Sequence, residues 1–380
     1  MKPDFATDDI AVAADRAFAR VAVIGAGAWG TALAAVAATA GRGAIVWGRR
    51  EDVVADINTR HTSERYLPGV TLPADLRATT DLAEACAEAE AILIATPSHT
   101  LRDICGRLAP LLGDGVPVAL CCKGIERGSG LLLGQVVEAE LPGRPVGAIS
   151  GPTFALETAA GHMTAATVAF PFTYQDRLRP AESTAARMAV TMGTNAFRPY
   201  VSDDVIGVEV GGAVKNVIAI ACGMMTGAGF AENTRAALIT RGMDEMKRLA
   251  EALGGRRETV TGLSGAGDLT LTCSSTTSRN MSLGVQLGQG LERAACFEGR
   301  DVVVEGEVNA VSVVELAHKV EVPMPICEAV HAILHGGAPL SDTFAALWTA
   351  PIEGEPRTLD LSLDHPADAD AVNDLAERLS

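Results

Sequence analysis

Within VGGAVKNVIAIACG, residues 210–223, Lys215 and Asn216 interrupt a run that is otherwise small or apolar. Taking an ammonium out of water is costly unless an oxygen partner or a chemical task comes with it. On a helical wheel Lys215 is neighboured by Gly211, Ala219 and Cys222, and Asn216 by Gly212 and Gly223. Such neighbours describe close backbone approach, or a slot for a small ligand, rather than a leucine-packed core. The chemistry that uses a lysine there is proton exchange with an oxygen, the ammonium also stabilising a developing alkoxide. A structural lysine paired with a carboxylate is the plainer alternative.

Other residues could share that chemistry. Lys123 ends the apolar run PVALCCKG, where a cation points into the crevice beyond the strand, although a lysine can also simply reach solvent from such a place. TPSH, residues 96–99, and SGPTFA, residues 150–155, occupy the same kind of position. Asp268 lies in the glycine-rich TGLSGAGDLTLTCSS, which lets a carboxylate point at a neighbour, though Gly-Asp is also ordinary turn chemistry. SSTTSRNMSLGVQLG reads as a capped helix start with Arg279 and Asn280 in its first turn. Free amides and a guanidinium fork there would hold a phosphate; an exposed cap with an incidental arginine is the bland alternative.

The elements that must position these residues alternate from Arg20 onward. RVAVIG, GAIVWG, AILIAT, PVALCCKG, PVGAIS, TAATVAF and AFRPYV are strand-like, and the first two flank the helical WGTALAAVAATAG. Strands apolar on both faces and alternating with helices predict a parallel sheet covered on both sides. In VAVIGAGAWGTALA the triplet Gly25, Gly27 and Gly30 follows a strand and opens a helix. The first permits the turn, the second lets amides approach a diphosphate, and the third closes helix on strand, which predicts a dinucleotide site. At the end of the second strand, where an acidic residue would mark strict NAD use, the chain has Arg49 and Arg50. An arginine can hold a 2′-phosphate, so NADP(H) is expected to be accepted, while Glu51 keeps NAD(H) use open; an exposed basic turn is the alternative. After Asp203 the apolar spacing becomes helical, which predicts an all-α second half beginning near residue 201.

Composition narrows the class. The 380 residues carry 48% apolar and 21% charged side chains and a net charge of −16, which fits a globular protein and excludes a nucleic-acid or anionic-membrane surface. The eight cysteines form no C-x-x-C pair and lie mostly in apolar runs, so they are read as reduced and cytoplasmic. Asp4, Asp8, Asp9 and Asp15 stand where a signal peptide would be basic and then apolar, and no uncharged membrane-length span is expected. His331 and His335 could share a helix face, but no H-E-x-x-H accompanies them and no metal is expected. The last 30 residues read as an acidic solvated appendage, with ADAVNDLAERLS a short terminal helix at most.

Taken together, VIGAGAWGTALA, VWGRR, YLPGV, PSH, KGIE, SGPTFA, GVEVGGAVKNVIAIACG, TRAALITRGMDEM, GAGDLTLTC, SRN and VVEGEVNA resemble the bacterial NAD(P)-dependent glycerol-3-phosphate dehydrogenases, in that family's order over residues 20–349. The resemblance implies an α/β fold: an N-terminal Rossmann-type, doubly wound and mainly parallel sheet with an all-α C-terminal domain. It implies reversible reduction of dihydroxyacetone phosphate to sn-glycerol 3-phosphate for phospholipid synthesis, with NADP or NAD as cofactor; the sequence does not fix the oligomeric state, and a homodimer is the assembly considered. The expected domains are an acidic extension over 1–19, a dinucleotide-binding domain over 20–201, a substrate and catalytic domain over 202–349 and an acidic tail over 350–380. By matching motif, Ala28, Trp29, Arg49, Arg50 and Tyr66 would contact the dinucleotide with the glycine loop, and Val303, Glu305 and Arg279 would also touch it. Lys123 would meet cofactor and substrate; Gly151, Thr153 and Ala155 would line the nicotinamide side. Lys215 corresponds to the proton acceptor, and Asp268, Ser278, Arg279 and Asn280 to substrate ligands. Glu307, Val308 and Leu156 depart from the family's usual side chains.

A β-hydroxyacid reductase with the same two-part architecture is the nearest alternative. A noncatalytic cofactor sensor is another, but it has no use for Lys215, Asp268 and Arg279 together.

Overall fold

The structure is a computed structural model that describes residues 17–355 and 359–366. Eight strands, β1 (Arg20–Ile24), β2 (Gly43–Trp47), β3 (Arg77–Thr79), β4 (Ala91–Ile94), β5 (Val118–Leu120), β6 (Val146–Ser150), β7 (Thr164–Ala169) and β8 (Phe197–Ser202), form one sheet in the order β3-β2-β1-β4-β5-β6-β7-β8. Every neighbouring pair is parallel except β6 with β7. The expected mainly parallel sheet is thus present. Strands β1, β2 and β4 are apolar because side chains on both of their faces are buried: Val21, Val23 and Val46 enter one core, and Ala22, Ile24, Ile92 and Ile94 the other. The short β3, with sequence RAT, has no apolar run to announce it and was not among the expected strands.

Two compact units divide the chain. The first contains the described residues up to Gly212 together with Leu253–Asp268, and the second contains Ala213–Ala252 and the described residues from Leu269 onward. The helix Val205–Gly227 contributes its opening turns to the first unit and the rest to the second. It is long and apolar enough to cross a membrane, yet 83% of its most apolar window is buried inside the protein.

Helices Glu232–Ala252, Arg279–Gly288, Glu305–Lys319, Pro325–Gly336 and Leu340–Trp348 build the second unit. Its tightest packing is backbone on backbone. A Cβ on Gly223 would lie 2.3 Å from the carbonyl oxygen of Met281, and one on Gly284 2.2 Å from that of Ile220. Only glycine at both places lets helices Val205–Gly227 and Arg279–Gly288 approach so closely. Beyond residue 350, Ile352–Glu353 pairs antiparallel with Ser362–Leu363, and Arg241 holds Glu353 at 3.0 Å. The terminal helix expected in ADAVNDLAERLS lies outside the described residues, as do the first sixteen.

One carboxyl group of the second unit is buried without needing a cation. Glu245, 1% exposed, accepts the backbone N–H groups of Ile326 at 2.7 Å and Cys327 at 3.2 Å, capping helix Pro325–Gly336 from a neighbouring helix. Burial pushes its pKa up from 4.5 to about 7. The folded protein therefore holds this proton more tightly than the unfolded chain. The resulting stabilisation is complete below about pH 4.5 and is lost as pH rises through about 7. In urea unfolding at about pH 5 and about pH 8, the wild type should lose on the order of 1–3 kcal/mol more on going to the higher pH than Glu245→Gln does. Equal losses in the two proteins would contradict the assignment.

Candidate active site

The loop after β1 lies where the strand order reverses between β1 and β4, the place at which open α/β sheets receive ligands. Gly25 has φ +121°, and a Cβ on it would come within 2.9 Å of the backbone of Ala95 just past β4. A Cβ on Gly30 would fall 1.8 Å from the carbonyl oxygen of Gly25. These two glycines are required by the fold itself. Gly27 is different: its φ of −79° suits any residue, and no atom of the described residues lies within 4 Å of where its Cβ would be. It is the N-cap of helix Ala28–Thr39, whose first turn, with Ala28 and half-buried Trp29, has no side-chain cap. An open approach to uncapped amides suits a diphosphate. The buried hydroxyls of Thr31, Thr96 and Ser150 also have no hydrogen-bond partner among the described residues. The residues present fit a bound dinucleotide.

At the end of β2 the two arginines differ. Arg50 places a bidentate fork on Asp52, at 3.0 and 2.8 Å, whereas Arg49 is exposed with no partner among the described residues. Tyr66 is half-buried, with the Arg65 guanidinium 5.8 Å from its ring centre.

The first unit also brings together residues far apart in sequence. Lys123, just past β5, bonds Asp268 at 2.5 Å, with side chains 16% and 3% exposed. Asp268 starts helix Asp268–Cys273 after the π-helical turn Leu263–Gly267, and Gly267 faces Pro152 of the SGPTFA segment. In that segment a Cβ on Gly151 would meet the backbone of Ala165 and Ala166 within 2.8 Å, and the Thr153 hydroxyl donates to the Gly151 carbonyl at 3.2 Å. Ala155 opens the short helix Ala155–Ala159. Gly212 is glycine because a Cβ there would press on the Lys123 stem and the Ser150 hydroxyl, at 3.2 and 3.3 Å.

In the second unit Lys215 is 7% exposed, and its ammonium donates to the Thr272 hydroxyl at 2.8 Å. Beside it a chain of polar contacts organises the neighbouring helices. Asn216 donates to Glu305 at 3.1 Å, Asn280 donates to Asn216 at 2.9 Å, and the Asn280 oxygen accepts the Gly306 N–H at 2.8 Å. Asn280 is therefore tied into the unit through both ends of its amide. Ser278 is the N-cap of helix Arg279–Gly288 and accepts the Met281 N–H at 3.3 Å. Arg279 follows, exposed and with no partner among the described residues, so its fork is available to an anion. Val303 is 57% exposed and Glu305 begins helix Glu305–Lys319. Thr272 and the hydrogen-bonding role of Asn216 were not among the expected ligands. The four-residue spacing from Asp268 to Thr272 on one helix was the available signal.

Two family models cover most of the described chain: NAD-dependent glycerol-3-phosphate dehydrogenase N-terminus over residues 20–174 and C-terminus over residues 204–345. The chain belongs to the NAD-dependent glycerol-3-phosphate dehydrogenase family. It is 48% identical over 89% of its length to a glycerol-3-phosphate dehydrogenase [NAD(P)+] of Parvibaculum lavamentivorans, covering 99% of that protein. It is 45% identical over 88% of its length to the enzyme of that name from Rhodospirillum rubrum, covering 93% of it. Among solved structures, glycerol-3-phosphate dehydrogenase from Coxiella burnetii superposes with a TM-score of 0.79 at 37% identity, covering 88% of this chain and 99% of that one. In this family setting the N-terminal sheet is the NAD-binding part.

The contrast between the glycines makes a prediction. Gly27→Ala should unfold thermally as the wild type does, because its Cβ meets no protein atom, yet bind NADPH and NADH more than about tenfold more weakly by calorimetry. Unchanged affinity would show that the diphosphate does not lie on this loop.

Proposed function

We propose that this chain catalyses the reversible reduction of dihydroxyacetone phosphate to sn-glycerol 3-phosphate with NADP(H) or NAD(H), supplying glycerol phosphate for phospholipid synthesis. The observation that carries the reading is Lys215, an ammonium removed from water on a helix of small residues and steadied by a hydroxyl. Reduction of a ketone needs hydride at carbon and a proton at oxygen. Bound reduced nicotinamide supplies the hydride.

The chain's own residues do the rest. Lys215 donates a proton to the developing alkoxide in reduction and accepts it in oxidation, while its charge stabilises that oxygen. The Thr272 hydroxyl holds the ammonium in one orientation. Lys123 and Asp268 act as a fixed pair whose mutual neutralisation lets both stay out of water. They would orient the substrate's hydroxyl-bearing end, with Gly151, Thr153 and Ala155 lining the nicotinamide side. Arg279 and the amides at its helix N-terminus would fix the phosphate, with Ser278 setting that terminus and Asn280 locking it to Asn216. Gly25, Gly27, Ala28, Trp29 and Gly30 would hold the diphosphate, and Arg49, Arg50 and Tyr66 the adenosine end. Val303 and Glu305 would complete the cofactor contacts. A cytoplasmic homodimer is the assembly proposed.

Lys215→Met keeps the length and apolar stem of the side chain while deleting its proton. It should fold and bind NADPH as the wild type does, but reduce dihydroxyacetone phosphate about 10²–10⁴-fold more slowly in kcat. Near-normal turnover by that variant would remove Lys215 from the proton transfer.

A further inference from the structure

The end of β2 carries two arginines and two carboxylates in four consecutive residues, Arg49 to Asp52. Arg50 is the N-cap residue of helix Glu51–Arg60, in extended conformation, and Asp52 lies in that helix's first turn. First-turn amides and the helix dipole favour a carboxylate there, and the Val53 N–H helps hold the Asp52 carboxyl below its ordinary range, after the larger effect of the Arg50 fork. The acceptor is therefore anchored to the helix. Arg50 spends its side-on edge, Nε and one of its two terminal nitrogens, on the two Asp52 oxygens at 3.0 and 2.8 Å. That side-on edge makes a planar, two-bond contact with one carboxylate or phosphate at a time, and it is the edge a 2′-phosphate would otherwise take bidentately. Arg49 beside it keeps its guanidinium exposed and without a partner among the described residues.

We propose that Asp52 competes with the cofactor's 2′-phosphate for the Arg50 guanidinium, and so sets how strongly NADP(H) is favoured over NAD(H). The inference rests on the proposed reading that the end of β2 receives the adenosine ribose. Arg49 is the standing cation for a 2′-phosphate and Arg50 is a second one held in check. A cofactor with the phosphate must displace Asp52 to take the side-on edge of Arg50 and must accept a carboxylate nearby. A cofactor without the phosphate leaves the pair closed. The arrangement keeps both cofactors usable where a second unopposed arginine would favour the phosphorylated one.

The test is calorimetric titration of NADPH and of NADH into the full chain as wild type, Asp52→Asn, Arg50→Gln and the double variant. Both substitutions are on the exposed surface, so the fold is kept. Asp52→Asn should tighten NADPH binding by roughly two- to fivefold, the scale of an exposed ion pair, and leave NADH unchanged. In the Arg50→Gln background the same change should give a distinctly smaller gain, because there is no fork left to release. An equal gain for both cofactors, or an equal gain in both backgrounds, overturns the competition and leaves only a general charge effect. If the wild type binds neither cofactor, the reading of the β2 end as a ribose site fails and the competition fails with it. Binding of both cofactors with an unaltered preference in Asp52→Asn defeats the competition alone.

Discussion

An ammonium buried in a protein must be met by oxygen, and that constraint organises what surrounds both lysines. Lys215 is steadied by the Thr272 hydroxyl and Lys123 by the Asp268 carboxylate. The two oxygens come from one short helix, Asp268–Cys273, four residues apart. Removing Asp268 would strip Lys123 of its carboxylate, and losing one member of a buried ion pair leaves the other charge uncompensated. The glycine-rich π-helical turn ahead of Asp268 follows from the same need. A Cβ on Gly265 would sit 2.0 Å from the carbonyl oxygen of Val260, so a bulkier residue would push this turn off its place.

Close backbone approach is the second recurring device. Gly25 and Gly30 bring the first loop onto β4 and onto itself, Gly212 makes room for the stem of Lys123, and Gly223 with Gly284 lets two helices touch. Gly306 belongs to the same set: its Cβ would lie 2.5 Å from the Asn216 carbonyl oxygen, and its N–H fixes the Asn280 amide. Small residues around Asn216 thus serve the hydrogen-bonded chain through Asn280 and Glu305 that aligns three helices of the second unit.

Much of this was legible in the sequence because it rests on local pattern. The glycine triplet after RVAVI, the apolar strands and the helical spacing after Asp203 each follow from backbone sterics or from one-sided burial. A Ser or Thr cap with Arg279 and Asn280 in the following turn was readable from residue type, and the structure assigns the cap to Ser278. What was hidden depends on contacts between distant segments. β3 is three residues long and enters the sheet only because β2 offers an edge. Leu253–Asp268 returns to the first unit with no periodic signal to announce it. Glu209 and Glu245 look like ordinary helix-surface acids, yet each accepts backbone N–H groups of another helix, and burial pushes both pKa values up to about 7. The Arg50–Asp52 fork was likewise invisible, since adjacency of opposite charges does not say which arginine is taken.

The central claim is that these elements serve a phosphorylated ketone, with proton exchange at Lys215 and phosphate capture at Arg279. The most direct measurement compares kcat/KM for dihydroxyacetone phosphate, unphosphorylated dihydroxyacetone and a small β-keto acid, following loss of reduced-nicotinamide absorbance. The account predicts that the phosphorylated ketone is favoured by about a thousandfold or more, because a site built around a phosphate leaves its cation and amides unpaired with the other two. Comparable efficiency without the phosphate, or a preference for the keto acid, would contradict it.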